Sequence, residues 1–265
     1  NWLWGYTSVG INVDKVKAAL GDLPMPANAW DLVFKPEYVS KLKSCGVSVL
    51  DSPTEVVPAA LHYLGKPAYS RTQADYTGVA PLLKSIRPYI TLFSSSGYIN
   101  DMAQGSICLA LGWSGDISIA RQRAIDGKTG QKIEALIPST GGILFFDMMV
   151  IPADAPHPEN AHTFINYILR PEVAAGLTNK VFYANPNLAS KSFVKPEVAN
   201  NPAVRSPYEA PGRTGPPPAS PVIDIIPPIA WTTISSAGRS LYGPVCPKPE
   251  TLAMITRGLR AQRIS

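Results

Sequence analysis

A continuous apolar run over residues 107–111 is followed at once by the turn-forming residues 112–116 and then by a helical pattern. Such a run is typical of a strand that is buried on both faces of a parallel sheet, and ligands of these sheets bind at the carboxyl ends of the strands. Trp113 and Asp116 are predicted at that end. An indole face and a carboxylate at this spacing could hold an organic cation through cation–π attraction and charge-assisted hydrogen bonds. The segment therefore predicts a binding site for a small cation.

The segments around this strand alternate between extended and helical patterns. Asn12 is a favourable N-terminal cap for a helix that runs to about Leu20, and Gly21 is a favourable stop. Ser52, followed by a proline and, three residues on, by Glu55, has the pattern of a capping box. The other predicted elements are helices over 36–43, 74–86, 98–104, 117–125 and 158–169, and strands over 47–51, 89–93, 132–138 and 143–152. Alternation of this kind predicts an α/β layered fold.

The end of the chain has a different composition. Twelve of the 27 prolines lie between Pro202 and Pro249, which predicts an irregular segment over residues 205–238. Residues 205–265 also account for +4 of the formal net charge of +5. The rest of the chain is left with no basic face wide enough to indicate nucleic-acid binding. No run in the sequence approaches the roughly 18 consecutive apolar residues of a membrane-spanning helix.

The three cysteines leave two alternatives open. Cys45 and Cys108 each adjoin an apolar run, and they would meet if those runs form neighbouring strands. A bridge between them would contribute about 4 kcal/mol in the chain-entropy model and would indicate an oxidising compartment. The alternative is a pair of buried thiols. Cys246 is left over in the proline-rich segment.

Asp147 interrupts an otherwise apolar strand pattern. A carboxylate in such a strand is costly unless a cation or hydrogen-bond donors meet it, so Asp147 is either a ligand of a cation or half of a structural ion pair. Phe145 is predicted on the same face of the strand. Asp116 also has a second explanation, because the helix dipole favours an acid in the first turn. Trp113 is a residue type that more often lies in a core.

An enzymatic alternative rests on residues 112–116, Gly-Trp-Ser-Gly-Asp, which nearly match a nucleophile elbow around Ser114. Asp116 stands where that motif needs a small glycine. The chain offers three candidate bases: His62, His157 and His162. A glycosidase using Asp116 and Asp147 is a further alternative, but a pair of carboxylates does not distinguish acid catalysis from cation binding. We therefore expect a protein that is not an enzyme and that uses no cofactor and no metal.

Eight segments occur in order along the chain: NVDKVKAALG, AWDLVFKPE, KLKSCGVSVLDSPTEV, ADYTGVAPLL, YINDMAQGSICLALGWSGD, FFDMMVIPADA, FINYILRPEV and VFYANPN. Together they resemble the periplasmic polyamine-binding proteins of ABC importers, the putrescine and spermidine receptors. The resemblance runs from about residue 5 to Val204 and resumes near Leu241. It implies an α/β protein of the type II periplasmic-binding-protein fold, with two lobes of which one is incomplete here.

The resemblance predicts how the chain divides between these lobes. The expected parts are a main α/β lobe over residues 1–125, the remaining part of the second lobe over 126–190, a return to the main lobe over 191–204, a Pro-rich irregular insertion over 205–238, and a C-terminal segment over 239–265 whose helix packs on the main lobe. Family members begin with a signal peptide and most of one lobe, and both are missing here. A receptor remnant that binds no ligand is therefore an alternative.

The resemblance also implies a function and a site. The function is capture of putrescine or spermidine in the cleft between the lobes and delivery to the membrane permease of an ABC importer, by a periplasmic monomer. The implied ligand-binding residues are Glu55, Ser95, Trp113, Asp116, Phe145, Asp147 and Tyr183. Two of these, Ser95 and Tyr183, are singled out only by the family motifs FSSSGYIN and VFYAN. The resemblance further implies that Cys45 and Cys108 form a disulfide.

Overall fold

A ten-residue strand, β1 (Leu3–Asn12), is the centre of the sheet in the computed structural model, which describes residues 2–202 and 204. Nearly all of its residues are buried, as expected for a strand that is covered on both faces. Two short strands share one edge of β1. β5 (Ile133–Leu136) pairs with the second half of β1 and β6 (Ile143–Asp147) with its first half, and both are antiparallel to it. β5 and β6 both lie within residues 126–190, and both therefore pair with a strand from residues 1–125.

The opposite edge of β1 pairs with the strand that contains most of the apolar run 107–111. That strand, β4 (Leu109–Trp113), is antiparallel to β1 and parallel to β2 (Val47–Val49), which in turn pairs in parallel with β3 (Leu92–Phe93). The prediction of a strand buried within a sheet is confirmed, but the prediction of parallel neighbours on both sides is wrong. An apolar run reports burial on two faces, and both orientations of a neighbouring strand meet that condition.

The helices lie between and after these strands. α1 (Val13–Leu20) begins as predicted, because the Asn12 side chain accepts a hydrogen bond from the Lys15 amide, and it ends at Gly21, whose φ is 60°. The other helices within the described range are α2 (Asp31–Phe34), α3 (Pro36–Leu42), α4 (Pro53–Tyr63), α5 (Val79–Ile86), α6 (Tyr98–Gln104), α7 (Ser114–Asp126), α8 (Pro158–Ile168), α9 (Pro171–Val181) and α10 (Pro196–Ala199). The alternation of strands and helices confirms the α/β fold.

Several predicted boundaries are wrong. The strand predicted over 143–152 ends at Asp147, and the strand predicted over 89–93 is confined to Leu92–Phe93. β4 ends at Trp113 instead of residue 111, because its pairing with β1 continues to the Thr7–Trp113 pair, and α7 consequently begins at Ser114. The segment predicted as one helix over 74–86 is a 3₁₀ turn, Gln73–Gly78, followed by α5. Trp113 is therefore the last residue of a strand, and Asp116 lies in the first turn of a helix.

The disulfide is confirmed: the sulfurs of Cys45 and Cys108 are bonded, and their Cα atoms are 5.5 Å apart. The bond joins the 3₁₀ turn after α3, Lys43–Cys45, to the residue that precedes β4. It closes a loop over a sequence separation of 63 residues, for which the chain-entropy model gives about 4 kcal/mol. The bond ties a surface turn to the most buried part of the sheet.

Several predictions concern parts of the chain that the structure does not describe. The insertion over 205–238 and the C-terminal helix lie outside the described residues. The division into lobes stays a prediction. Across residues 2–202, helices are too short or too polar to cross a bilayer. The same part of the chain holds no cluster of three or more His, Cys, Asp or Glu side chains that could bind a metal ion.

Candidate functional site

A cleft of about 640 Å³ opens along one edge of the sheet. The strands β2, β4 and β6 run in the same direction and end at this edge. β1 begins there because it runs antiparallel to β4 and β6. The cleft is lined by Leu3, Glu55, Trp113, Asp116, Ile119, Phe145, Phe146, Asp147, Val181 and Tyr183. Six of the seven predicted ligand-binding residues are therefore brought together from segments up to 128 positions apart.

The seventh predicted residue, Ser95, does not line the cleft. It follows β3 at the same edge of the sheet, half-buried, and its hydroxyl has no hydrogen-bond partner within the part of the chain that the structure describes. A role for Ser95 as a ligand contact stays a prediction.

Asp116 is held between two tyrosine hydroxyls. The Tyr183 hydroxyl donates to Oδ1 at 2.6 Å, and the Tyr98 hydroxyl donates to Oδ2 at 3.0 Å. Burial raises the pKa of the Asp116 carboxyl, while the two hydroxyls and the charge of Arg123 act in the opposite direction. Asp116 lies in the first turn of α7 and also lines the cleft, so the two explanations do not exclude each other, and its role as a ligand contact stays a prediction.

The predicted capping box at Glu55 is wrong. Ser52 occupies the cap position of α4, but its side chain makes no capping hydrogen bond and lies 3.0 Å from the Thr54 hydroxyl. The Glu55 carboxylate instead accepts a hydrogen bond from the Thr7 hydroxyl, and the Trp113 side chain is close enough to lower the pKa of this carboxylate. Burial raises the pKa of Glu55, and the nearby negative charge of Asp147 raises it further. Glu55 is thus a cleft residue that is held by two distant segments.

Asp147 is the last residue of β6 and lines the cleft. Desolvation raises its pKa, although the residue is among the exposed ones. No ion pair joins it to a lysine or arginine within residues 2–202. The alternative of a structural ion pair therefore has no support in the described part of the structure.

Aromatic side chains form the apolar walls of the cleft. Trp113 contributes its half-buried indole, and Phe145 meets Tyr183 edge to face with ring centroids 6.1 Å apart. The described residues that line the cleft include three carboxylates and no lysine, arginine or histidine. Such a site carries a negative charge that is not neutralised from within the cleft, and its rings offer negative faces to a cation.

Sequence reasoning missed several residues of this site. Thr7 donates a hydrogen bond to Glu55 and Tyr98 donates one to Asp116, although neither Thr7 nor Tyr98 lines the cleft. Both hydrogen bonds depend on tertiary contacts between separate segments. Phe146 alternates with Phe145 and Asp147, so a regular strand pattern predicts it on the opposite face, yet it also lines the cleft. The other lining residues that were not anticipated are Leu3, Ile119 and Val181.

The nucleophile-elbow alternative loses its geometric basis. Ser114 is fully buried, and its hydroxyl accepts a hydrogen bond from the Tyr6 amide at 3.3 Å. No hydrogen bond links Ser114 to His62, His157 or His162 in the range that the structure covers, and His62 contacts the Thr140 carbonyl instead. A serine without a neighbouring base is not activated for attack.

An acidic, ring-lined cleft at the carboxyl edge of an α/β sheet defines a binding protein for small molecules. Comparison with known proteins identifies the family within this class. The chain belongs to the bacterial extracellular solute-binding proteins, whose family model matches residues 1–212. That family consists of receptors and not of enzymes, in agreement with the expectation from the sequence.

Two curated relatives are similar over most of the chain. The putrescine-binding periplasmic protein PotF of Escherichia coli (strain K12) is 46% identical over 237 residues, which cover 89% of this chain and 64% of the relative. The putrescine-binding periplasmic protein SpuD of Pseudomonas aeruginosa (strain UCBPP-PA14) is 46% identical over 203 residues, which cover 77% of this chain and 55% of the relative. The chain thus spans between about half and two thirds of the length of these relatives.

A solved structure confirms the fold. The spermidine/putrescine ABC transporter substrate-binding protein PotD of Streptococcus pneumoniae superposes with a TM-score of 0.59 at 24% sequence identity. The match covers 76% of this chain and 57% of that protein. The α/β fold predicted from the sequence is therefore the fold of solute-binding proteins.

Proposed function

We propose that this chain binds a short polyamine, of the putrescine or spermidine class, in the cleft at the carboxyl edge of its sheet. The observation that carries the proposal is the set of three carboxylates, Glu55, Asp116 and Asp147, which share one cleft with aromatic walls and with no basic lining residue in the described chain. A polyamine presents ammonium groups that are separated by methylene segments. Carboxylates at separated points and rings between them match that pattern of charge.

The energetics favour such a ligand over an isolated ammonium ion. Each methylene that is removed from water contributes about 0.8 kcal/mol, so four contribute about 3 kcal/mol. A desolvated cation–π contact with a ring such as Trp113 adds up to about 2 kcal/mol. The carboxylates must then offset the loss of water from each ammonium group. Hydrogen bonds from Tyr98, Tyr183 and Thr7 hold the Asp116 and Glu55 carboxylates in place, so little reorganisation is needed when the cation binds.

The relatives support the same ligand class and extend the proposal to a transport role. PotF and SpuD are named as putrescine-binding periplasmic proteins, and the structural neighbour is named as an ABC transporter substrate-binding protein. We infer that the chain acts in the periplasm as a monomeric receptor that delivers its ligand to the membrane permease of an ABC importer. The disulfide agrees with an oxidising compartment of this kind.

Calorimetric titration tests the proposal. Putrescine or spermidine should bind at one saturable site, and the affinity should fall as salt is added, because the contact is between charges. The neutral isostere 1,4-butanediol keeps the carbon chain and should give no measurable binding. Equal binding of the diol and the diamine would show that the carboxylates do not select the ligand, and absence of any diamine binding would favour the remnant without ligand binding.

A further inference from the structure

Tyr98 connects two residues of the cleft although its own side chain does not line it. It is the first residue of α6 and is fully buried. Its hydroxyl donates to Asp116 Oδ2 at 3.0 Å and accepts from the Trp113 backbone N–H at 3.0 Å. One phenol oxygen is therefore bonded both to the end of β4 and to the carboxylate in the first turn of α7.

The position of this phenol is fixed by close packing. A Cβ atom added at Gly112 would lie 2.7 Å from Tyr98 Cε2 and 2.8 Å from its hydroxyl oxygen. The ring therefore packs against the backbone of β4 at a distance that only glycine permits. With the ring held by the strand and the hydroxyl bonded at two points, Tyr98 has no alternative position within the packed core.

We propose that Tyr98 is a positioning residue for cation binding: its hydroxyl donates a hydrogen bond to the charged Asp116 carboxylate and so orients this carboxylate for the ligand. The proposal rests on the proposed function for its consequence in ligand binding. Its structural part, the effect of Tyr98 on Asp116, can be measured without a ligand.

The hydrogen-bonding capacity of a carboxylate explains how this arrangement serves a ligand. Its two oxygens together offer about four acceptor positions. One position on each oxygen is taken by a tyrosine hydroxyl, from Tyr98 on α6 and from Tyr183 after α9. The remaining positions are available to an ammonium group. Hydrogen bonds to the charged form also favour ionisation, which counters the effect of burial.

The charged and titratable groups around Asp116 determine what removal of the Tyr98 hydroxyl should do. Tyr98 and Tyr183 donate to Asp116, and Arg123 acts on it from a later turn of α7. The other acids of the cleft, Glu55 and Asp147, add negative charge nearby. The direct effect of Tyr98 is to lower the pKa of Asp116. Its removal should therefore raise that pKa.

The experiment is a carbon-13 NMR titration of the Asp116 carboxyl in the ligand-free chain and in Tyr98→Phe, with the resonance assigned from its loss in Asp116→Asn. We expect a higher pKa for Asp116 in Tyr98→Phe. The matched control is Tyr76→Phe, which removes another buried hydroxyl, one that donates to the Ser70 carbonyl at 2.9 Å outside the cleft. An unchanged pKa in Tyr98→Phe, or an equal rise in the control, would overturn the proposal.

A second measurement keeps Tyr98 in place and applies even if Tyr98→Phe does not fold. Asp116→Asn should shift the Tyr98 Cζ resonance of the intact chain, because the hydroxyl loses a charged acceptor, and should leave the Tyr76 resonance unmoved. No shift at Tyr98 would contradict the proposed contact.

Ligand binding then separates this proposal from the proposed function. Putrescine affinity in Tyr98→Phe should fall roughly tenfold near pH 5, and the loss should become smaller as pH rises and more of Asp116 is ionised in the variant. A loss that does not change with pH would indicate that Tyr98 acts through packing alone and would overturn the positioning proposal. If the parent chain binds no diamine while the NMR shift is found, the proposed function fails and the positioning of Asp116 stands.

Discussion

Asp116 lies in the first turn of a helix and also lines the cleft. It lies in the first turn of α7, where the helix dipole favours a negative charge, and both of its oxygens accept tyrosine hydroxyls at the cleft. The helix therefore stabilises the same charge that a cationic ligand requires. Asp147 has no comparable support, since only burial acts on its pKa and no hydrogen bond to its side chain is found in the described residues.

Substitution of Asp147 by Asn tests whether this acid meets the ligand. We expect putrescine to bind roughly tenfold more weakly to Asp147→Asn, because one charge-assisted hydrogen bond is replaced by a neutral one. The matched control is Asp154→Asn, which removes an exposed acid that does not line the cleft. Calorimetry gives both affinities, and an unchanged affinity in Asp147→Asn would remove this residue from the site.

Gly115 tests the placement of Tyr183. A Cβ atom at Gly115 would lie 2.3 Å from Tyr183 Cε2, so Gly115→Ala must displace that ring from the cleft and from Asp116. We expect a loss of putrescine affinity of roughly tenfold with little change in melting temperature, because Tyr183 is only half-buried. Gly176→Ala serves as the control, since nothing lies within 4 Å of its added methyl. Equal affinities of the two variants would argue against a role for Tyr183.

At the scale of helices and strands, local signals predicted what lies near in sequence. The Asn12 cap of α1, the Gly21 stop and the proline at the start of α4 are all satisfied by neighbours within four residues, and all are found. Glu55 shows the limit of such reasoning, because its partners, Thr7 and Trp113, are 48 and 58 positions away. The sequence around Glu55 matches a local capping pattern, but in the structure the Glu55 side chain interacts with two other segments instead.

The candidate site was predictable to a similar extent. Six cleft residues were identified, Asp147 from the cost of a carboxylate in an apolar strand and others, such as Tyr183, only through the family resemblance. Tyr98 was missed because an aromatic residue at the start of a helix resembles an ordinary core residue. Its function depends on the close approach to Gly112, and no sequence pattern reports which glycine faces which ring.

The disulfide joins two elements and gives a prediction at this scale. Reduction should lower the free energy of unfolding by about 4 kcal/mol and the melting temperature by roughly 10 °C, because the unfolded chain regains the freedom of a long loop. Thermal unfolding with and without reductant measures the change. In the Cys45→Ser/Cys108→Ser double variant, reductant should have no effect. An unchanged midpoint in the parent chain, with reduction verified by thiol titration, would contradict this account.

For the molecule as a whole, the three acids of the cleft link stability to pH. Burial raises the pKa values of Asp116 and Asp147 above 3.8 and that of Glu55 above 4.5. In the pH window between the ordinary pKa of each acid and its higher pKa in the folded chain, the folded chain keeps protons that the unfolded chain has lost. As pH rises through this window, these groups therefore lower the free energy of unfolding of the ligand-free protein. A diamine needs the ionised carboxylates, so its affinity should rise over the same window.

Proton release on binding measures this linkage. Calorimetric titration of putrescine near pH 5, in buffers of different ionisation enthalpy, should show that protons leave the protein as the ligand binds, and near pH 8 the release should vanish. Glu55→Gln removes one titrating group and should reduce the number released. If binding near pH 5 releases no protons, the acids of the cleft do not charge when the ligand arrives.

The most direct measurement is a crystal structure of the chain grown with saturating putrescine. We predict elongated density in the cleft, with its ends within hydrogen-bond distance of carboxylates from Glu55, Asp116 or Asp147 and its carbon chain against Trp113 and Phe145. An empty cleft at saturation, or a diamine bound elsewhere on the molecule, would contradict the claim that these acids and rings form one polyamine site.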